Sequence, residues 1–271
     1  MSNTRNLLAN RSVVAISGED SKEFLQGLIT NDINKVSKDN AVFAALLSPQ
    51  GKFLYDFFIV EHEGRFLLDI ARETQADLIK RLTMYKLRSK VDIAILPEME
   101  VGWSDELQVT SYKLQGSVKY NDPRYPELGI RAIGIGFEIQ GMGEYDKQRL
   151  SLGIPEGGRD LETNAAFPMQ WGYDKLNAID FNKGCYVGQE VTARSKHIGT
   201  IRKMVHQVQA DVVLPAIGTP VMADEKEVGK MASSIGNTGL ALLNIEVVAG
   251  GAKLYSNGTE IQANIPIWAL R

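Results

Sequence analysis

A single cysteine, Cys185, stands among the 271 residues, and histidine occurs only 3 times. One cysteine excludes an intramolecular disulfide framework and fits a reducing compartment. Structural zinc needs about four Cys/His ligands and a [4Fe–4S] cluster about four thiolates. Cys185 with the scattered His62, His197 and His206 offers no such spacing, so no metal site is expected from this chain alone. Charge of one sign is also missing: 30 basic residues face 33 acidic ones, for a net charge of −3. That balance lacks the footprint of a dedicated nucleic-acid binder, and no direct nucleic-acid contact is expected. Uninterrupted apolar runs fall short of membrane-spanning length, and Met1 to Asn10 shows neither an apolar signal core nor an Arg-rich and Ser-rich presequence. A soluble cytoplasmic protein without membrane contact is the expectation. Gly134-Ile135-Gly136, followed by Gly141 and Gly143, lacks the spacing of a phosphate-binding fingerprint and reads as a strand and a turn.

A chain of this length can bury a sizeable core without staples. Arg11 to Ile16 reads as a strand, and Ser17-Gly18-Glu19-Asp20 has the pattern of a capping box opening a helix through Phe24, Leu25, Leu28 and Ile29. Ala41 to Leu47 and Phe53 to Val60 are apolar-rich runs joined by Ser48-Pro49-Gln50-Gly51, which predicts a hairpin. Arg65 to Ile70 follows as a strand. Leu78, Leu82 and Tyr85 recur at helical spacing, Val91 to Leu96 returns to strand, and a short helix is expected near Glu144 to Leu152. From Ile198 onward short β-rich runs alternate with turn signals such as Gly218-Thr219-Pro220 and Asn257-Gly258. The fold class is therefore α+β with antiparallel sheets, with residues 1–197 as one region and 198–271 as a small β-barrel or sandwich.

The densest run of chemistry is Lys183-Gly184-Cys185-Tyr186-Val187-Gly188-Gln189-Glu190, closed by Arg194. A neighbouring cation such as Lys183 favours the thiolate, the form that attacks disulfides and binds metals. Burial as a small inert hydrophobe is the alternative for any lone cysteine. The run resembles the signature of the YgfZ family, folate-binding proteins related to the aminomethyltransferase of the glycine cleavage system. Further similar pieces follow in the same order: Phe24 to Asp32, Ser48 to Lys52, Arg149-Leu150 with Gly153 to Glu156, Pro168, and Ile179 to Arg194. Val101 to Gly143 matches least well.

The resemblance implies two interleaved α/β subdomains around a central cavity, a terminal β-barrel, and tetrahydrofolate or a derivative as cofactor. It implies an accessory role in iron–sulfur cluster assembly or repair and, through cluster enzymes, in tRNA modification. The partners it implies are a reduced folate and iron–sulfur assembly or client proteins. Cys185 is then the reactive thiol or transient ligand and Lys183 the group that tunes it. Asp56, Arg149, Trp171, Tyr186, Gln189, Glu190 and Arg194 are the residues assigned to the folate site. Two departures argue against true aminomethyl transfer: Tyr55 stands where the relatives carry the first of two aspartates, and Ser151 where they carry a pterin-gripping glutamate. Arg149 and Arg194 can instead form structural ion pairs with Glu156, Asp160 or Glu190. A folate-dependent aminomethyltransferase or demethylase, and a non-catalytic interaction module, are the competing readings.

Overall fold

The computed structural model describes residues 6–105, 117–137, 143–197 and 201–270. Two antiparallel sheets and a closed barrel make up the described fold. The first strands are β1 (Asn6–Leu7), β2 (Arg11–Ser17), β3 (Val42–Leu47), β4 (Phe53–His62), β5 (Arg65–Ala71), β6 (Asp92–Ile95) and β7 (Glu100–Ser104). Next come β8 (Val118–Asn121) and β9 (Ile130–Gly134). One sheet runs β3-β4-β5-β2-β6 and the other β1-β7-β9-β8, so the chain's opening strand belongs to the sheet completed last. The two units are interleaved in sequence.

The first sheet is buried on both faces. Along β4, Phe58 faces the second sheet, where its ring lies near Tyr120, and Phe53 packs by Tyr173, while Leu54, Phe57 and Ile59 share a core cluster with α1 (Ser21–Leu28) and α2 (Gln75–Lys86). Burial on both sides explains why β3 and β4 read as nearly continuous apolar runs instead of alternating ones. The hairpin turn forms as its sequence predicts, with the Gly51 N–H donating to Ser48 O at 2.8 Å. The capping box does not form. Asp20 makes no side-chain cap to α1; its Oδ2 instead accepts the Lys90 N–H at 2.7 Å, because the strand entering β6 docks against this end of the helix.

α3 (Gly143–Ser151) and α4 (Gln189–His197) lead to the barrel. Its strands are β10 (Lys203–Gln209), β11 (Pro220–Ala223), β12 (Lys226–Ile235), β13 (Thr238–Asn244), β14 (Leu254–Ser256) and β15 (Thr259–Asn264). β10 pairs with both β13 and β15, which closes the barrel and leaves no free edge. A short helix, α5 (Ile245–Ala249), interrupts it and is capped by Asn244, whose Oδ1 accepts the N–H groups of Glu246 and Val247. Trp268 anchors the barrel's C-terminal turn to the rest of the chain by donating from Nε1 to Gly153 O. Gly141 and Ile198 lie outside the described residues; β9 ends at Gly134.

Candidate functional site

The loop that carries Cys185 is assembled from three distant pieces of sequence. Thr30 and Asn31 follow α1 and hold the chain just upstream of the cysteine. Thr30 Oγ1 donates to Ala178 O at 2.6 Å, and Asn31 Nδ2 donates to Asn177 O at 2.7 Å and to Phe43 O at 2.8 Å. The hairpin turn supplies the floor under the other side. A Cβ on Gly188 would lie 2.6 Å from Ser48 O, and the backbone there has φ +85°, so this contact admits only glycine. Cys185 itself is exposed. The burial alternative weighed for a lone cysteine does not apply to it.

Lys183 is held by backbone carbonyls. Its ammonium donates to Gln26 O at 2.8 Å, Ile29 O at 2.6 Å and Asn31 O at 2.9 Å. An ammonium has three hydrogens, and these acceptors use all of them. The residue thus gathers Gln26 O from the last turn of α1, Ile29 O at its C-cap and Asn31 O just beyond, a position that suits a cation. Burial holds its pKa down to about 8, against the opposing pull of Asp32 and Asp180. Lys183 is a bracket beneath the loop that carries Cys185.

The remaining motif residues divide between support and surface. Tyr186 is buried, and burial pushes its phenol up to about 12. The Tyr186 N–H donates to Gln189 Oε1 at 3.3 Å, and Thr192 Oγ1 donates to Gly188 O at 3.0 Å, which seats the start of α4. Glu190 and Arg194 pair with each other at 2.5 Å on the solvent face of α4. Their side chains are 75% and 71% exposed, so the pair contributes little to stability.

Asp56, Arg149 and Trp171 lie elsewhere. Asp56 points inward, accepting the Gly157 N–H at 3.0 Å and the Tyr173 hydroxyl at 2.7 Å. Gly157 seals it: a Cβ there would be 2.6 Å from the carboxyl carbon. Burial raises the Asp56 carboxyl above its ordinary pKa, and Arg11 and the Tyr173 hydrogen bond offset this only in part. Arg149 is fully buried, donating to Asp146 Oδ1 at 2.7 Å, Asp160 Oδ2 at 3.0 Å and Ser233 Oγ at 2.9 Å. That is structural ion pairing within α3 and to the segment after it, with a hydrogen bond from Arg149 to the barrel. Trp171 is buried and borders a cavity of about 530 Å³ between the 158–171 segment and the barrel. Ser151 is exposed and donates to Gln148 O on its own helix. The residues assigned to folate therefore do not converge on one cavity. A polar cavity of about 540 Å³, lined by Asn31, Lys35, Phe43, Asp174, Asn177 and Lys196, includes none of them. A bound folate does not fit the set the sequence nominated.

Between the two sheets lies a cluster that the sequence reading did not nominate. Asp69 accepts from Arg11 Nε at 2.6 Å, from Arg131 Nε at 3.0 Å and from the Tyr120 hydroxyl at 3.3 Å. Asp122 holds the Arg124 guanidinium through two bonds, of 3.0 and 2.7 Å, and approaches Arg131 at 3.5 Å. The Tyr145 hydroxyl accepts from Arg124 and Arg131 and donates to Glu156 Oε1 at 3.0 Å. Burial alone would raise the Glu156 pKa, but Arg149, Arg11 and their neighbours outweigh it and hold it at about 2. A detectable signal was present: Asp69 interrupts the apolar run Phe66-Leu67-Leu68, and Arg131 stands inside the strand Ile130–Gly134. A charge in an apolar strand requires a partner.

Among the described residues no group of three or more His, Cys, Asp or Glu side chains is placed to hold a metal ion, and no helix is long and apolar enough to cross a membrane. Comparison with known proteins places these features in a family. The CAF17 C-terminal beta-barrel domain matches residues 202–270. The human protein named iron-sulfur cluster assembly factor IBA57, mitochondrial, is 32% identical over 299 residues, covering 96% of this chain and 84% of its own length. The mouse protein of the same name is 31% identical over the same share of each chain, 96% and 84%. A Coccidioides immitis homologue is 31% identical over 89% of this chain and 71% of its own length. Among solved structures, the glycine cleavage system aminomethyltransferase T of Bartonella henselae has a TM-score of 0.78 at 14% identity, covering 98% of this chain and 86% of that one, which establishes the shared fold. The mitochondrial relatives overturn the cytoplasmic expectation. They also give the family a more specific name than the resemblance to YgfZ did.

Proposed function

Because the chain belongs to the IBA57 family of iron–sulfur cluster assembly factors, we propose that it assists cluster assembly by presenting Cys185 as a thiolate ligand to a cluster held jointly with a partner protein. The observation that carries this reading is the placement of Cys185. It is the one thiol of the chain, it is exposed, and its loop is fixed from beneath by Lys183, Asn31 and Gly188. A fixed, accessible sulfur suits ligation. The cluster is cargo in this scheme, and its other ligands come from the partner, an assembly or client protein. Glu190 and Arg194, exposed on α4 after the cysteine loop, are available at the rim of that contact. Failure to load cluster enzymes would also lower tRNA modification in which such enzymes act.

Aminomethyl transfer is disfavoured by the same geometry. An acid or base must lie within hydrogen-bond reach of the proton it moves, and the Asp56 carboxylate is closed in by Gly157 and Tyr173. The test is complementation of cells that lack their own IBA57-type protein, with the wild-type chain or Cys185→Ser at matched protein levels, reading iron–sulfur enzyme activity. Rescue by the wild type alone is expected. Equal rescue by both removes Cys185 from the mechanism.

A further inference from the structure

The aminomethyltransferase-like fold raises the question of what fills the space between the two sheets. The described side chains fill it themselves. Arg11, Arg124 and Arg131 converge on the ring of Phe58, with guanidinium carbons 5.6, 4.9 and 4.1 Å from its centroid. Around them Asp69, Asp122 and Glu156 supply matching carboxylates, and Tyr145 links Arg124 and Arg131 to Glu156. The cluster draws on β2, β5 and β9, on the loop between β8 and β9, on α3 and on the segment after it. Each of these groups is 3% exposed or less, and Asp56 beside them is 5% exposed.

We infer that this interior is closed to folate: a charged cluster of the protein's own side chains occupies the place between the sheets, and Asp56, beside it, serves as a structural acceptor for the Gly157 N–H and the Tyr173 hydroxyl. A pterin there would have to remove carboxylates from buried guanidinium groups and replace them with neutral ring atoms. Such an exchange strips charge-assisted bonds from ions that solvent cannot reach. A cavity of about 470 Å³ adjoins the cluster, lined by Arg11, Arg72, Glu73, Asp146, Glu156 and Arg159, and its cations are already engaged. Arg159 is paired there with Asp146 and Glu156, and Arg72 donates to the carbonyls of Ala9 and Arg11. The inference rests on the interior alone and stands or falls separately from the role given to Cys185.

Titration calorimetry of the full chain with 5-formyltetrahydrofolate tests it, with an aminomethyltransferase of the same fold as positive control. The expected result is no saturable heat up to about a hundredfold excess over the micromolar affinity a working site would show. Asp56→Asn, beside the cluster, and Arg159→Ala, in the lining of the adjoining cavity, are titrated alongside, each first shown to be folded by circular dichroism. Absence of binding, or binding that neither substitution changes, supports a closed interior. Saturable binding weakened tenfold or more by either substitution overturns it.

Discussion

The charged cluster between the sheets and the cysteine loop are built from the same kinds of residue, yet they are opposites. In the cluster every carboxylate meets a guanidinium away from water, and Asp69 alone ties together Arg11, Arg131 and Tyr120. In the loop the polar framework lies underneath, while the thiol, Glu190 and Arg194 face solvent. A closed network of buried ions specifies how two sheets meet, and removing one partner leaves an uncompensated charge. An exposed group on a rigid base is free to meet something else. The chain keeps its structural charges and its available chemistry apart.

Four substitutions or conditions sharpen that contrast, beginning with the largest effect. Asp69→Ala strands two buried guanidinium groups and is expected to lower stability by about 3–5 kcal/mol, measured by urea unfolding. Against a typical total of about 5–15 kcal/mol, that is a large fraction of the folded state's margin.

Acid acts on the same cluster through Glu156. Its folded pKa of about 2 lies below the ordinary value of 4.5, so the unfolded chain binds more protons between these limits. The group's contribution is complete above pH 4.5 and is lost as pH falls through about 2, on the order of 3 kcal/mol. Asp56, raised in the folded state, works in the opposite direction and stabilises on acidification. Glu156→Gln should flatten the acid limb of the stability curve, whereas Asp56→Asn should steepen it.

Gly188→Ala places a side chain against Ser48 O in a left-handed conformation, which should destabilise the protein by about 1–3 kcal/mol and disturb the Cys185 loop. Thermal unfolding together with the rate of thiol labelling reads both effects, and an unchanged labelling rate would break the link drawn between the hairpin turn and the cysteine. Smallest of all is Cys185→Ser, an exposed change expected to stay within about 0.5 kcal/mol of wild type while abolishing rescue of cluster enzymes. A large loss of stability there would turn the loop into a structural element like the cluster.

Much of the architecture was legible from local pattern. The hairpin at Ser48–Gly51 followed from turn chemistry, α2 from the spacing of Leu78, Leu82 and Tyr85, and the barrel from short strands between turn residues. Within the cysteine motif the exposed thiol and the Glu190–Arg194 pair carried over, but the partners of Lys183 did not, since all three acceptors lie more than 150 residues earlier. The capping box failed for a related reason: Asp20 is claimed by Lys90, a contact made across 70 residues.

By itself the sequence determined the periodicities, the turns and the lone cysteine, because these depend on residues a few positions apart. Only the tertiary structure decided that Asp69, Asp122 and Glu156 meet Arg11, Arg124 and Arg131 between the sheets, and that Asp56 and Arg149 are enclosed while Cys185 is not. The physical reason is that a charge has no fixed meaning in one dimension. Whether it is a ligand, a bracket or one half of a buried pair is set by which distant partner the fold brings to it and by whether water can reach it.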